Sequence, residues 1–361
     1  MNLPATVLGL MSGTSLDGID VACLTTDGES RIMAGPWATY PYEPRVRAAV
    51  RGVLGGKGAT AEAERLLTLA HAQAVERFLA SQKLQARAID LIGFHGHTIL
   101  HRPREGRTWQ IGDGAMLARA TGIDVVNDFR SADVAEGGEG APLAPLYHAA
   151  LAAGLARPLA VLNLGGVANV TWVGEDGAVL AFDTGPGNAP IDDWLSRHTG
   201  RAMDADGRVA RAGRVDNELL AGLLAHHYFT RPPPKSLDRD DFGWRLVERL
   251  ALADGAATLT AFAAEAVAAG ARHFPTAPRR WLVSGGGRHN GALMAALAAA
   301  LGTPVEPVEV VGWQGDALEA QAFAWLAVRS RLGLPLSLPS TTGVRRPLSG
   351  GRFNSASGSP G

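Results

Sequence analysis

Asp183, Arg130, the pair His95 and His97, and the tip Ser12-Gly13-Thr14-Ser15-Leu16-Asp17-Gly18 are where residue type and spacing suit chemistry. Asp183 closes an apolar run (178–182) and opens the loop Thr184-Gly185-Pro186-Gly187-Asn188. A carboxylate at a strand end suits a general base. It also suits a helix N-cap, although Thr184 and Asn188 could cap the next helix equally well and leave Asp183 free. Arg130 ends Asn127-Asp128-Phe129-Arg130 after the run 123–127. Its planar fork matches a carboxylate or phosphate, and an arginine at such a place is as often a salt-bridge partner. His95 and His97, at i and i+2 after the apolar run 90–94, could bind a metal. No third ligand accompanies them, so substrate hydrogen bonding or packing is the expectation.

The tip at 12–18 lies between two β-prone runs, 7–11 and 19–25, which is the pattern of a β-hairpin. Glycines let a backbone approach a ligand, and N–H groups in turns make anion-binding concavities, so a phosphate could sit there. An ordinary surface turn has the same composition. Two further glycine-rich turns follow. Gly165-Gly166 joins the runs 158–164 and 167–173, and Ser284-Gly285-Gly286-Gly287-Arg288-His289-Asn290 joins the run 281–284 to a helix at 291–301. Strand, glycines and helix N-terminus together can receive an anion or the flat edge of a nucleotide. Gly55-Gly56-Lys57-Gly58 lacks the spacing of a phosphate loop and is read as a turn.

The elements that position these groups repeat in outline. A three-stranded meander (7–11, 19–25, 31–40) is followed by helices at 44–54 and 61–84 and by strands at 90–94 and 123–127, with a hairpin and an Asp113-capped helix between them. The loop 131–145 changes texture, and a domain boundary is placed before it. A second meander follows (158–164, 167–173, 178–182), then helices at 246–253 and 257–268. The last expected elements are a strand at 305–311 and an amphipathic helix at 316–331 that carries Glu319 near its start. The expected fold is α/β, with domains at 1–130 and 131–345, the 316–331 helix packing back on the first, and a flexible tail at 346–361.

The 361 residues exceed one ordinary core. With 46% hydrophobic and 19% charged residues and a net charge of −1, no broad basic surface is present. Nucleic acid and membrane are therefore not expected partners. Cys23 is the single cysteine and sits in an apolar run, so a disulfide framework and a cysteine zinc site are excluded. No signal peptide or membrane span is read, which makes a cytoplasmic protein the expectation.

Three glycine-rich sites in this order resemble the phosphate-1, phosphate-2 and adenosine motifs of the actin/hexokinase/Hsp70-like ATPase superfamily. More narrowly, the chain resembles the anhydro-N-acetylmuramic acid kinase family over residues 5–345. The resemblance rests on the segments 9–20, 93–98 with 101–103, 110–113, 127–130, 163–169, 182–188, 234–236 and 284–290. It implies two ribonuclease-H-like domains with mixed sheets flanked by helices and an ATP cleft between them. The implied reaction uses ATP and Mg²⁺ to open the 1,6-anhydro bond of an amino sugar and phosphorylate O6, in cell-wall sugar recycling. Asp183 matches the catalytic carboxylate. ATP binding falls to Gly13, Thr14, Ser15, Leu16, Asp17, Gly18, Ile19, Asp20, Gly165, Gly166, Asn169, Ser284, Gly285, Gly286, Gly287 and Asn290. Sugar binding falls to His97, Thr98, Arg130, Gly185, Asn188 and Glu319, with Asp17 and Asp20 near the metal. A homodimer is left open. Another amino-sugar kinase, or an actin-like nucleotide switch without enzymatic activity, would share the ATP motifs.

Overall fold

β1 (Ala5–Met11) and β2 (Gly18–Thr26) are near-continuous apolar runs, buried on both faces as central strands must be. In the computed structural model, which describes residues 1–13, 16, 18–239 and 241–357, they form an antiparallel hairpin that pairs Met11 with Asp20. β3 (Ile32–Pro41), β4 (Leu91–Phe94), β5 (His97–Arg102), β6 (Arg107–Ile111) and β7 (Val125–Asn127) complete the N-terminal set. β1, β4 and β7 run parallel and β3 is antiparallel to β2, giving a mixed sheet, while β5 and β6 make a separate ribbon.

The chain divides into two units, Met1–Ala153 with Ala317–Gly361, and Gly154–Asp316. The division falls after residue 153 rather than after 130: the helix Ser131–Ala135 packs on β6, the helix Pro145–Leu151 packs on the helix Leu318–Arg331, and that last helix packs on the first sheet. Leu8 and Leu10 on one face of β1 join a core with residues of the helices Pro44–Gly52 and Thr60–Ser81. Gly9 on the other face meets the helix Leu318–Arg331, and so does its register partner Gly93 on β4. A Cβ on Gly9 would stand 1.7 Å from the Ala320 carbonyl oxygen, and one on Gly93 2.1 Å from that of Phe323. Only two side-chain-free positions side by side let a helix backbone lie this close to a sheet. This helix departs from the amphipathic expectation: ten of its fourteen residues are buried.

In the second unit, β8 (Leu159–Leu164), β9 (Val167–Val173) and β10 (Val179–Pro186) form the expected meander, and β11 (Trp281–Ser284) and β12 (Val305–Pro307) add to β8 in parallel. The sheet order is β10-β9-β8-β11-β12. One helix, Leu252–Ala271, replaces the two expected at 246–253 and 257–268. Gly255 reads as a break but is a notch, since a Cβ there would meet the Trp194 indole at 2.6 Å. This helix has the length and apolarity of a membrane span, and most of it is buried inside the fold. One further expectation fails locally: residues 308–311 form a 3₁₀ turn rather than strand. Arg208–Ala212 adds a short helix. The tail also departs from expectation, because β13 (Arg352–Asn354) pairs antiparallel with β7 at the edge of the first sheet. The remaining expectation for the tail, at 358–361, lies outside the described residues.

Candidate active site

In the second unit one register row changes the sheet from apolar to polar. Val283, Leu162, Val170 and Phe182 pair across four strands, and one residue further Ser284, Asn163, Asn169 and Asp183 do the same. Partners in a row share a face of the sheet, so four polar side chains line up at its end. Asp183 is 7% exposed. Its Oδ2 accepts the Leu237 N–H at 2.8 Å, its N–H donates to the Lys235 carbonyl at 3.0 Å, and its carbonyl accepts the Tyr228 hydroxyl. The Asp183 side chain does not cap the helix Ala189–Thr199. That helix starts at Asn188, whose Nδ2 donates to the Leu164 carbonyl at 2.9 Å, while Thr184 Oγ1 donates to the Ala168 carbonyl.

The turn at Gly165-Gly166 is held from the same loop. Asn188 N–H donates to the Gly165 carbonyl at 2.8 Å and Gly187 N–H to that of Gly166 at 3.0 Å. Gly185 lies where the β9–β10 register shifts. Gly285 has φ +76°, and a Cβ on it would meet Asn163 Oδ1 at 2.4 Å, so Ser284-Gly285-Gly286-Gly287 folds onto the end of β8. Asn290 caps the helix Gly291–Leu301 by accepting the Leu293 N–H at 3.1 Å. The carboxamide oxygen is thereby engaged in the fold.

In the first unit, Gly13 accepts the Leu16 N–H at 3.1 Å, closing the hairpin tip, and Leu16 turns its buried side chain inward with φ +56°. Thr14, Ser15 and Asp17 lie outside the described residues. Gly18 and Ile19 begin β2, and Asp20 accepts the Thr39 hydroxyl at 2.6 Å. Ser12 Oγ contacts both Tyr42 OH and His97 Nδ1, the latter at 2.9 Å. His97 is fully buried, its Nε2 has no hydrogen-bond partner among the described residues, and burial pushes its pKa down to about 4, so the ring is neutral at physiological pH. Thr98 accepts from Gln110 Nε2 at 3.1 Å.

Arg130 is fixed on two sides. Its Nε donates to His95 Nε2 at 3.1 Å and its Nη1 to the Gly140 carbonyl at 2.8 Å. His95 accepts there only as the tautomer whose Nδ1–H faces the Gly96 carbonyl at 3.0 Å. Burial and the Arg130 charge hold the His95 pKa well below the usual range, which keeps that acceptor available. Glu319, at the start of the helix seated on Gly9 and Gly93, has its carboxyl pushed up by burial, while the Arg130 guanidinium opposes this. His95 bonds the Gly96 carbonyl and Arg130, and His97 bonds Ser12; among the described residues no cluster of three or more metal-ligating side chains forms.

The sequence alone assigns no role to Tyr42, Tyr228 or Lys235, and expects of His95 only hydrogen bonding or packing, not the acceptor it presents to Arg130. His95 and Lys235 stand inside quoted motifs, which was the available signal, and Tyr42 and Tyr228 carry none. Asp192 was likewise passed over; burial first, and then the Asp193 carboxylate, push it up to about 7.

Mixed sheets flanked by helices, with glycine-rich turns and polar groups gathered at strand ends, define an α/β fold of the kind that places ligand groups at strand ends. The chain belongs to the anhydro-N-acetylmuramic acid kinase family, whose model matches residues 5–355, and it is a sugar kinase. It is 62% identical to the anhydro-N-acetylmuramic acid kinase of Paramagnetospirillum magneticum over 350 residues, 96% of this chain and 99% of the relative. Its identity is 56% to that of Rhodospirillum rubrum over 96% and 93% of the two chains, and 57% to that of Acidiphilium cryptum over 96% and 97%.

Proposed function

We propose that the protein opens 1,6-anhydro-N-acetylmuramic acid with water and phosphorylates O6 from ATP, giving N-acetylmuramic acid 6-phosphate and ADP for cell-wall sugar recycling. Family membership over nearly the whole chain supports the reaction. The observation that supports Asp183 as the base is its clamped position in the polar row of the second sheet. The Leu237 N–H bond to Oδ2 fixes one carboxylate oxygen, and the carboxylate is the group that accepts the proton in this reaction. Asp183 takes a proton from water as the water oxygen bonds to C1. The C1–O6 bond breaks, and its electron pair stays on O6. O6 then attacks the γ-phosphorus, and the bond to the ADP leaving group breaks. Positioning and charge neutralisation carry this second half.

Arg130 holds the sugar's lactyl carboxylate, and Glu319, Thr98, His97, Gly185 and Asn188 shape the rest of its site. His97 Nε2, buried and without a partner among the described residues, offers one hydrogen bond to it. The 13–20 hairpin, Gly165-Gly166 with Asn169, and 284–287 with Asn290 receive ATP. Magnesium binds oxygen donors, commonly one or two carboxylates together with substrate phosphates. Asp20, an oxygen donor already oriented by Thr39, fits that demand and would hold the ion, and Asp17 is its proposed companion. When bound, the ion supplies charge neutralisation to the phosphates. Incubation of the purified protein with Mg-ATP and a panel of amino sugars, with mass detection of products, tests the reading. The anhydro sugar alone should give a hexosamine phosphate one water heavier than simple phosphorylation predicts; turnover of ordinary hexosamines instead would overturn it.

A further inference from the structure

Lys235 is a buried cation. It is 1% exposed, and among the described residues no carboxylate forms an ion pair with it. Its ammonium lies 4.6 Å from the Tyr228 ring centroid and 5.7 Å from that of Phe182, and donates to the Tyr228 carbonyl at 2.9 Å. Burying a charge in this way is unfavourable unless its contacts compensate. Burial with the neighbouring Arg231 charge lowers its pKa to about 8, so the ammonium persists at neutral pH.

The contacts form a closed ring. Lys235 Nζ holds the Tyr228 carbonyl, the Tyr228 hydroxyl donates to the Asp183 carbonyl, and the Asp183 N–H donates to the Lys235 carbonyl. Asp183 sits on the edge strand β10, so its outward N–H and C=O have no further strand to pair with. The 228–237 segment supplies those partners, and Leu237 N–H adds a bond to the carboxylate itself. The strand register slips between Asp183 and Gly185, so strand pairing alone leaves the direction of this carboxylate underdetermined.

We infer that Lys235 and Tyr228 are positioning residues for Asp183: the buried ammonium locks the Tyr228 carbonyl, and the closed ring aims the carboxylate. The inference rests on Asp183 being the base. Lys235→Met keeps the length of the side chain and removes the charge, and Tyr228→Phe removes one hydroxyl. Both variants are measured beside Asp183→Asn for kcat and for KM of ATP and of the anhydro sugar, with melting temperature as a folding control. Misplacing a catalytic group by about 1 Å lowers rates up to about 10²-fold, so kcat should fall about 10- to 100-fold in each. Both KM values should stay within about twofold, because the substrates' own contacts are intact. Parent-like kcat in both variants, with Asp183→Asn inactive, overturns the inference. Parent-like kcat in Asp183→Asn overturns the base assignment instead. Joint loss of kcat, KM and melting temperature would mark a merely structural role and also overturn the inference. Should Lys235→Met fail to fold, Tyr228→Phe alone decides.

Discussion

Asn169 on β9 stands directly opposite Asp183 on β10, and both backbone groups of Asp183 turn away from β9, toward Lys235 and Tyr228. The pair is therefore of the non-hydrogen-bonded kind, in which opposed side chains come closest. A carboxamide and a carboxylate thus stand side by side at the sheet end, next to the turn at Gly165-Gly166, and the proposed base is tested there. Asp183→Asn keeps the shape and removes the basicity. Turnover should fall by about 10² to 10⁴ while the nucleotide dissociation constant stays unchanged, as read by steady-state kinetics and calorimetry.

Arg130 should separate sugar from nucleotide. Because His95 and Gly140 hold the guanidinium from two sides, a lysine cannot reproduce its geometry. Arg130→Lys should raise KM for the anhydro sugar about tenfold, and KM for ATP should not move. Equal changes in both constants would remove Arg130 from the sugar site.

Gly9→Ala should destabilise the protein without touching substrate. Its Cβ would fall 1.7 Å from a helix carbonyl oxygen, a backbone atom that no rotamer change relieves. Overpacking of this kind removes about 3 kcal/mol, visible as a lower midpoint in urea with an unchanged slope.

Acid should unfold the chain before most carboxylates titrate. His71, His97, His101 and His148 are all held down to about 4 by burial, whereas unfolded histidines titrate near 6.5. Between these values the unfolded chain binds more protons, so stability present above pH 6.5 is lost as pH falls toward 4. Melting temperature measured across that window should drop steeply; a flat profile would contradict the burial of these rings.

The hairpins and strand–glycine–helix units were legible because a turn rich in glycine between apolar runs is a local signal. β9, β11 and the helix Gly291–Leu301 follow the sequence pattern residue for residue. What was not legible depends on distant partners. Gly255 breaks a pattern and yet continues a helix, because Trp194 occupies the space its side chain would take. The helix at 318–331 looks amphipathic only until the glycines under it and the residues around it are placed. Tyr42, His95 and Lys235 gain meaning only from Ser12, Arg130 and Tyr228, which lie 30, 35 and 7 residues away.

If water opens the anhydro ring and O6 receives the phosphoryl group, the oxygen of the solvent must end up in the sugar. Running the reaction in ¹⁸O-water and reading the products by mass before anomeric exchange sets in decides this. One heavy oxygen should appear in the sugar, at C1, and none in the phosphate. A product without label in the sugar, or with label in the phosphate, would contradict this reaction.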